Sequence, residues 1–240
     1  MENLFLDIGA HTGEALEEAL RPVYKISKAY AIEPSRFGNN KLAKFKDNRV
    51  EIFSLAVSNY NGTAKLFAAG SVGGGLFLDK QRHWNNVEMV RVVKFSEWAT
   101  ENLNSYYDIY IKINVEGSEF FILQEILKIH EKFKIKSILL SIDIYKVPSL
   151  QDHIDDLKKL ILDFPIEITI REDKSVSFSI RKWFISLGLE HNDTNPRRVI
   201  IDSLRPFLPF DRNILRLLKP LFPKKFWVFV ALRIGPNRTR

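Results

Sequence analysis

Short apolar runs alternate with amphipathic segments along the first part of the chain. The apolar runs predict five strands: Leu4–Ile8, Tyr30–Ile32, Val50–Val57, Asp108–Val115 and Lys136–Tyr145. Apolar positions at helical spacing predict helices starting near Thr12, around Asn39–Phe45, over Glu116–Ile129 and over Leu150–Leu162. Because strand and helix alternate, we expect an α/β fold with a mostly parallel central sheet and helices on both faces.

A turn and a glycine-rich segment interrupt this alternation. Asn61-Gly62 is a strong hairpin signal and predicts that Leu55–Ser58 pairs with Thr63–Phe67. The segment 68–77 (AAGSVGGGLF) is not followed by GK[ST], so we interpret it as a loop over a binding site and not as a phosphate cradle. His83 could act as a base in a lid there, and an exposed polar histidine is the alternative.

The last third of the chain carries weaker patterns. Glu167–Ile170 is a candidate short strand and Ser179–Glu190 a candidate helix. Residues 199–202 and Phe226–Leu232 are candidate final strands. With 240 residues and no linker of low complexity, the chain is expected to form a single domain over residues 1–240.

Charge is unevenly distributed, although the net charge is only +7. From Arg197 onward there are 11 Lys and Arg against 2 Asp and Glu, which gives this segment +9 and the remainder −2. A basic segment of this kind suits peripheral contact with a membrane, and a solvated basic face is the alternative. Because no basic patch interleaved with stacking aromatics occurs in the body, no specific nucleic-acid binding is expected.

The absence of cysteine excludes disulfides, thiolate metal sites and a thiol nucleophile. No signal peptide pattern and no window of about 20 apolar residues occurs, so we expect a cytoplasmic protein. No two of the five histidines have the spacing of metal ligands, so we expect no protein-built metal site, and a magnesium ion held by carboxylates stays open. Nothing in the sequence indicates an oligomeric state.

The candidate chemistry begins with Asp7–Gly13 (DIGAHTG), which lies between the first strand and the first helix. Glycines allow a tight turn and a close approach of ligand to backbone. Glu33 follows Gly13 by 20 residues and ends the second strand, where a carboxylate can accept hydrogen bonds from both hydroxyls of a ribose. We favour this nucleoside interpretation over a mere capping glutamate.

Ligands of open α/β sheets lie outside the carboxyl ends of the strands. The ends of the first four predicted strands should therefore bring Asp7, Glu33, Ala56 and residues 114–116 (NVE) to one rim.

These residues resemble the FkbM family of S-adenosylmethionine-dependent methyltransferases. The resemblance rests on four motifs in the expected order over Asp7–Leu123, namely DIGAHTG, AIEPSRFGNNKL, LAVSNYNGTAKLF and IKINVEGSEFFIL. It implies a Rossmann-like methyltransferase fold with an antiparallel C-terminal strand, a cofactor-binding half at 1–145 and an acceptor-side half at 146–240. It also implies methylation of hydroxyls of sugars, glycans or small molecules.

The cofactor residues that the resemblance and the strand ends together indicate are Asp7, Gly9, Ala10, His11, Thr12, Gly13, Glu33, Pro34, Ser35, Ala56, Val57 and Asn114. Two of them depart from the family pattern, since His11 replaces an asparagine and Asn114 an aspartate. Asparagine does not take up a proton at neutral pH. Either position 114 only orients the cofactor, or the protein has reduced activity.

Three residues are candidates for acceptor-side chemistry. Glu116 is the first candidate for acid–base work, and a helix-capping glutamate is the alternative. Lys112 could pair with a carboxylate of the site or reach solvent from a strand edge. Asp143 could contact acceptor hydroxyls or serve as a buried structural aspartate.

Two other functions compete with methyl transfer to a small molecule or glycan. A non-catalytic module that binds S-adenosylmethionine would account for Asn114. A nucleic-acid methyltransferase would account for the basic C-terminal segment, and its binding would weaken steeply with salt.

Overall fold

The computed structural model describes residues 2–71, 73–80, 86–172 and 175–189. The chain divides into Met1–Asp193 and Thr194–Arg240, and every described residue belongs to the first unit. The candidate strands at 199–202 and Phe226–Leu232, and with them the expected antiparallel C-terminal strand, lie outside the described residues.

A six-stranded sheet forms the centre of this unit. Its strands are β1 (Asn3–Ile8), β2 (Ile26–Ile32), β3 (Val50–Phe53), β7 (Asp108–Ile113), β8 (Lys134–Leu140) and β9 (Glu167–Ile170). Their spatial order is β3-β2-β1-β7-β8-β9, and all neighbouring pairs run parallel. The order reverses beside β1, so the crevice at the carboxyl ends of β1 and its neighbours is the place where this topology accommodates ligands.

Within the described residues, six α-helices accompany the strands: α1 (Glu14–Ala19), α2 (Arg36–Leu42), α3 (Phe95–Asn102), α4 (Glu119–Leu127), α5 (Ile154–Leu162) and α6 (Val176–Ser186). Short 3-10 helices occur at Pro22–Tyr24, Ile144–Lys146 and Pro148–His153. The predicted helices are present with shifted bounds: α1, α4 and α5 begin later than predicted, whereas α2 and α6 begin three residues earlier. For example, the first begins at Glu14 because Gly13 occupies its N-cap in a left-handed conformation.

Apolar residues on both faces of the sheet form the core. Along β1, Leu4 and Leu6 join a cluster that includes residues of α3, α4 and α5, whereas Phe5 joins one that includes residues of α1, α2 and α6. This alternation follows from the period of two in a strand. It confirms the predicted α/β fold with helices on both faces.

A second sheet of three strands corrects the predicted hairpin. Its strands are β4 (Ala56–Ser58), β5 (Gly62–Phe67) and β6 (Val87–Lys94), in the order β4-β6-β5. β5 pairs antiparallel with β6, and β4 pairs parallel with β6, so the two segments around Asn61-Gly62 both bind β6 and not each other. The long strand predicted over Val50–Val57 is likewise wrong, because β3 and β4 belong to different sheets.

The side chain of Asn61 explains why the turn does not close a hairpin. Its Oδ1 accepts from the backbone N–H of Lys94 at 2.9 Å, and its Nδ2 donates to Glu97 Oε2 at 2.6 Å. Asn61 therefore binds the junction between β6 and α3, two elements that the apolar pattern did not predict.

Candidate active site

A cleft of about 890 Å³ opens at the carboxyl ends of β1, β2, β7 and β8. The second sheet and the segment 70–76 border it on one side. Its size falls within the range of small-molecule sites. Ten of the twelve predicted cofactor residues line it, namely Gly9, Ala10, His11, Thr12, Glu33, Pro34, Ser35, Ala56, Val57 and Asn114.

Asp7 and Gly13 do not line the cleft, which corrects their expected placement. The Asp7 side chain is fully buried below the turn. A Cβ at Gly13 would come within 2.4 Å of the ring of Phe45, so this glycine serves the packing of α1 against residues 42–45. Both residues pack beneath the turn formed by residues 9–12, called here the glycine turn, and do not face the cleft.

The glycine turn is pressed against the end of β7. Gly9 has a φ of +79°, and a Cβ at this position would lie 2.0 Å from the carbonyl oxygen of Asn114. The backbone N–H groups of Gly9 and Ala10 both donate to the carbonyl of Ile32, at 2.9 and 3.0 Å. The turn is therefore joined to the ends of two neighbouring strands, and glycine is required by conformation and by space.

Lys112 holds this turn from β7. Its Nζ donates to Asp7 Oδ1 at 2.8 Å and to the carbonyl oxygen of Gly9 at 2.7 Å. The two side chains are almost completely buried, and Asp7 and Lys112 are directly paired in the β1–β7 register. Of the two interpretations of Lys112, the pairing with a carboxylate is the one observed, and a side chain reaching solvent is not.

The carboxylate of Glu33 faces the glycine turn. Its Oε2 accepts from the backbone N–H of His11 at 2.9 Å, and its Oε1 accepts from the backbone N–H of Ser35 at 2.9 Å and from the Ser35 hydroxyl. Glu33 is 6% exposed and lines the cleft. Since a carboxylate oxygen can accept two hydrogen bonds, Oε2 keeps one acceptor position for a ligand.

His11 joins the glycine turn to the glycine-rich segment. It adopts a φ of +48°, a left-handed conformation that histidine and asparagine tolerate better than most residues. Its Nε2 lies 3.3 Å from the carbonyl oxygen of Gly70, and its ring is 5.8 Å from that of Phe37. His11 therefore combines a left-handed backbone, which asparagine also tolerates, with a side-chain contact to the glycine-rich segment.

The acceptor side of the cleft contains a chain of alternating charges. Glu116 forms an ion pair with Lys80, and its Oε2 lies 3.9 Å from Nζ of Lys146. Lys146 also forms an ion pair with Asp143. Burial by itself lowers the pKa of Lys146, but the hydrogen bond with Asp143 and the charge of Glu116 outweigh it and raise that pKa.

All three acceptor-side candidates line the cleft, and the two carboxylates among them, Glu116 and Asp143, each lie beside a lysine. Glu116 has a φ of +58° and precedes α4 by three residues, so it is not the helix-capping glutamate of the alternative interpretation. Asp143 lies three residues beyond β8, which ends at Leu140 and not at Tyr145 as predicted. His83, the candidate lid base, is outside the described residues.

Sequence reasoning missed two polar residues of this region. Lys80 is 5% exposed and also donates to the carbonyl oxygen of Gly73 at 2.9 Å, so it fastens the glycine-rich segment to Glu116. Glu119 is fully buried, and burial raises its pKa from 4.5 to about 7, with the charge of Asp143 adding to the rise. A glutamate three residues after Glu116, at the start of an apolar helix, was the available signal for Glu119.

Among the described residues, no group of three or more His, Cys, Asp or Glu is arranged to hold a metal ion. Within the same residues, no helix has the length and apolar character needed to cross a bilayer.

Comparison with known proteins identifies the family of this site. The sequence model of the methyltransferase FkbM domain matches residues 7–161, more than half of the chain and beginning at the glycine turn. The chain belongs to the FkbM methyltransferase family. This confirms the resemblance carried by the four motifs.

This FkbM domain is similar in structure to a methyltransferase FkbM from Methylobacillus flagellatus KT, solved by crystallography. The identity is 16% and the TM-score 0.44, with 68% of this chain and 38% of that chain covered. The chain thus spans well under half the length of that protein. No curated protein sequence matches this chain significantly.

Proposed function

We propose that this FkbM domain binds S-adenosylmethionine in the cleft and transfers its methyl group to a hydroxyl of a sugar, glycan or small molecule. The observation that carries the proposal is the carboxylate of Glu33, which directly follows β2 and accepts a hydrogen bond from the glycine turn. The free acceptor position on its Oε2 suits a ribose hydroxyl. The backbone of Gly9 and Ala10, without bulky side chains, leaves room for the rest of the ligand.

The bound cofactor would supply a methyl group already activated by a positive sulfonium. The protein then has to hold the acceptor oxygen in line with that methyl group and at close approach. Glu33 would bind the nucleoside end, and Asn114 lines the cleft between the nucleoside side and the acceptor side. Asn114 can donate and accept hydrogen bonds without changing charge, so its role would be orientation.

The acceptor hydroxyl has to lose its proton as the new bond forms. Glu116 and Asp143 are the carboxylates that line the acceptor side, and either can accept that proton. Lys80 and Lys146 stabilise the charged carboxylates. A hydroxyl placed between a lysine and a carboxylate can accept from one and donate to the other, which favours hydroxyl acceptors.

Calorimetric titration with S-adenosylhomocysteine tests the cofactor assignment. We expect Glu33→Ala to weaken binding by about tenfold or more, because a ligand hydrogen bond to a charged group is lost. Glu33→Gln keeps the size of the side chain and should weaken binding less. Glu51→Gln, on the neighbouring strand β3 and half-exposed, is the matched control and should bind like the parent protein. Equal affinity of the parent and Glu33→Ala would refute the assignment.

The replacement of an aspartate by Asn114 favours a second candidate function, a binding module without turnover. Incubation with methyl-labelled S-adenosylmethionine and a panel of glycans and hydroxylated small molecules separates the two. Labelled product together with demethylated cofactor supports the transferase. Tight cofactor binding without transfer to any member of the panel, and without recovery in Asn114→Asp, supports the binding module.

A further inference from the structure

Glu119 lies behind the acceptor side of the cleft and has no contact with its interior. It is the first residue of α4 and is fully buried. Neither proposed proton acceptor is on the same element, since Glu116 belongs to the loop before α4 and Asp143 to the loop after β8. The two loops therefore have to be held at a fixed distance from each other before both carboxylates can contact the same acceptor molecule.

One oxygen of Glu119 binds both loops. Its Oε1 accepts from the backbone N–H of Gly117 at 3.1 Å and from the backbone N–H of Asp143 at 2.9 Å. Gly117 follows Glu116 directly and has a φ of +125°, and a Cβ there would lie 3.0 Å from both Phe77 and Val147. The loop is closely packed against Phe77 and Val147 at this point, so a hydrogen bond to Gly117 also holds the backbone of the adjacent Glu116.

We propose that Glu119 is a positioning residue that sets the distance between the acceptor-side carboxylates Glu116 and Asp143 by binding the backbone of both loops through one oxygen. The inference rests on the proposed function for its consequence in catalysis. The structural part of the proposal is that one oxygen of Glu119 accepts hydrogen bonds from two loop amides. This part can be tested without a methyl-acceptor substrate.

The second oxygen of Glu119 gives the arrangement a dependence on pH. Oε2 is buried and has no hydrogen-bond partner within the described residues. Around it, Asp143 bears the ion pair with Lys146, and Glu116 bears the ion pair with Lys80. A charged Glu119 strengthens the two hydrogen bonds to Oε1 but pays for burial, whereas a protonated Glu119 weakens them.

Nuclear magnetic resonance of the full chain can measure this directly. We expect the amide signals of Gly117 and Asp143 to titrate together, with one midpoint near pH 7. In Glu119→Ala both amides should exchange with solvent about tenfold faster or more, and the side-chain carboxyl carbon signals of Glu116 and Asp143 should move. In Glu119→Gln the amide oxygen can still accept both bonds, so protection should remain while the titration disappears.

Glu125→Gln is the matched control, because Glu125 is equally buried on the same helix and binds Ser96 and Lys128 instead. It should leave the signals of Gly117 and Asp143 unchanged. If Glu119→Ala does not fold, the amide titration of Glu119→Gln is sufficient to test the proposal. Independent titration of the two amides, persistence of the titration in Glu119→Gln, or the same response in Glu125→Gln would overturn the proposal.

Failure of the proposed function would look different. Absence of S-adenosylhomocysteine binding in the parent protein overturns the cofactor assignment and leaves the coupled amide titration as it is. Conversely, the amides of Gly117 and Asp143 could titrate independently while all Glu119 variants bind the cofactor normally. That result overturns only the positioning role of Glu119.

Discussion

At the scale of single residues, the glycine turn is determined by its contact with β7. Gly9 meets two separate constraints, a left-handed backbone and a carbonyl oxygen 2.0 Å from where a Cβ would stand. Gly188 has a similar φ of +69° but nothing within 4 Å of its Cβ position. Comparing alanine variants of Gly9 and Gly188 therefore distinguishes the free-energy cost of a left-handed backbone from the cost of a steric clash.

We expect Gly188→Ala to lower the free energy of unfolding by about 1 kcal/mol, the usual cost of a left-handed non-glycine residue. Gly9→Ala carries the same conformational cost and must also displace Asn114, so its loss should be clearly larger. Urea unfolding of both variants measures the difference. Equal decreases in the free energy of unfolding would show that the glycine turn and the end of β7 can move apart without loss of stability.

The buried pair of Lys112 and Asp7 leads to a second prediction. Lys112→Met should lower the free energy of unfolding by about 3–5 kcal/mol, because the Asp7 carboxylate remains buried without its partner. A double variant, Lys112→Met with Asp7→Leu, should recover part of that loss. Lys158→Met, which removes an exposed pair with Asp155, is the control and should change the free energy of unfolding far less than Lys112→Met does.

The proximity of the glycine turn and Glu33 could be predicted from the sequence, because the two lie close together in it and at the ends of adjacent predicted strands. Gly9–Gly13 and Glu33 carry a spacing that the parallel topology converts directly into proximity. Lys80 could not be predicted in this way, since its partner Glu116 is 36 residues away and the connection depends on how the glycine-rich segment folds back.

At the scale of elements, α4 combines an apolar helix with two buried glutamates, and the first of them makes stability depend on pH. The pKa of Glu119 is about 7 in the folded protein, against 4.5 for an unperturbed glutamate. The folded state therefore binds more protons than the unfolded state between these values, and its stability falls as pH rises.

We expect this loss to reach roughly 3 kcal/mol between pH 4.5 and pH 7, at about 1.4 kcal/mol for each unit of pKa. Glu119→Gln has no such proton, so the stability of the variant relative to the parent should rise over the same interval. Chemical unfolding at a series of pH values measures the difference between the two proteins. A constant difference from pH 4.5 to pH 7 would contradict the prediction.

The elements themselves were predictable to different degrees. Strands β1, β7 and β8 are rich in apolar residues, as expected for buried parallel strands, and were identified with shifted ends. β6 alternates exposed and buried residues and was missed. The split between β3 and β4 could not be predicted, because the two residues between them, Ser54 and Leu55, carry no turn signal and only tertiary pairing separates the sheets.

At the scale of the whole molecule, charge is separated along the chain more sharply than the net value suggests. Residues 197–240 carry +9 and the preceding residues −2. Each Lys or Arg near an anionic membrane surface contributes about 1 kcal/mol at low salt. The sequence predicts this attraction from composition alone, and the placement of the segment lies outside the described residues.

We expect the full chain to cosediment with vesicles that contain phosphatidylserine and to be released as salt is added. Vesicles of phosphatidylcholine alone are the control and should retain little protein. Binding that is equal for both vesicle types, or insensitive to salt, would contradict an electrostatic contact.

The close approach of helix α2 to Glu33 has a consequence for engineering. A Cβ at Gly38 would lie 2.4 Å from Cγ of Glu33 and 2.7 Å from its Cδ. The added methyl group of Gly38→Ala would displace the side chain of Glu33, the residue proposed to bind the nucleoside. Preference among cofactor analogues with altered sugars could thus be retuned from a position that no analogue ever touches.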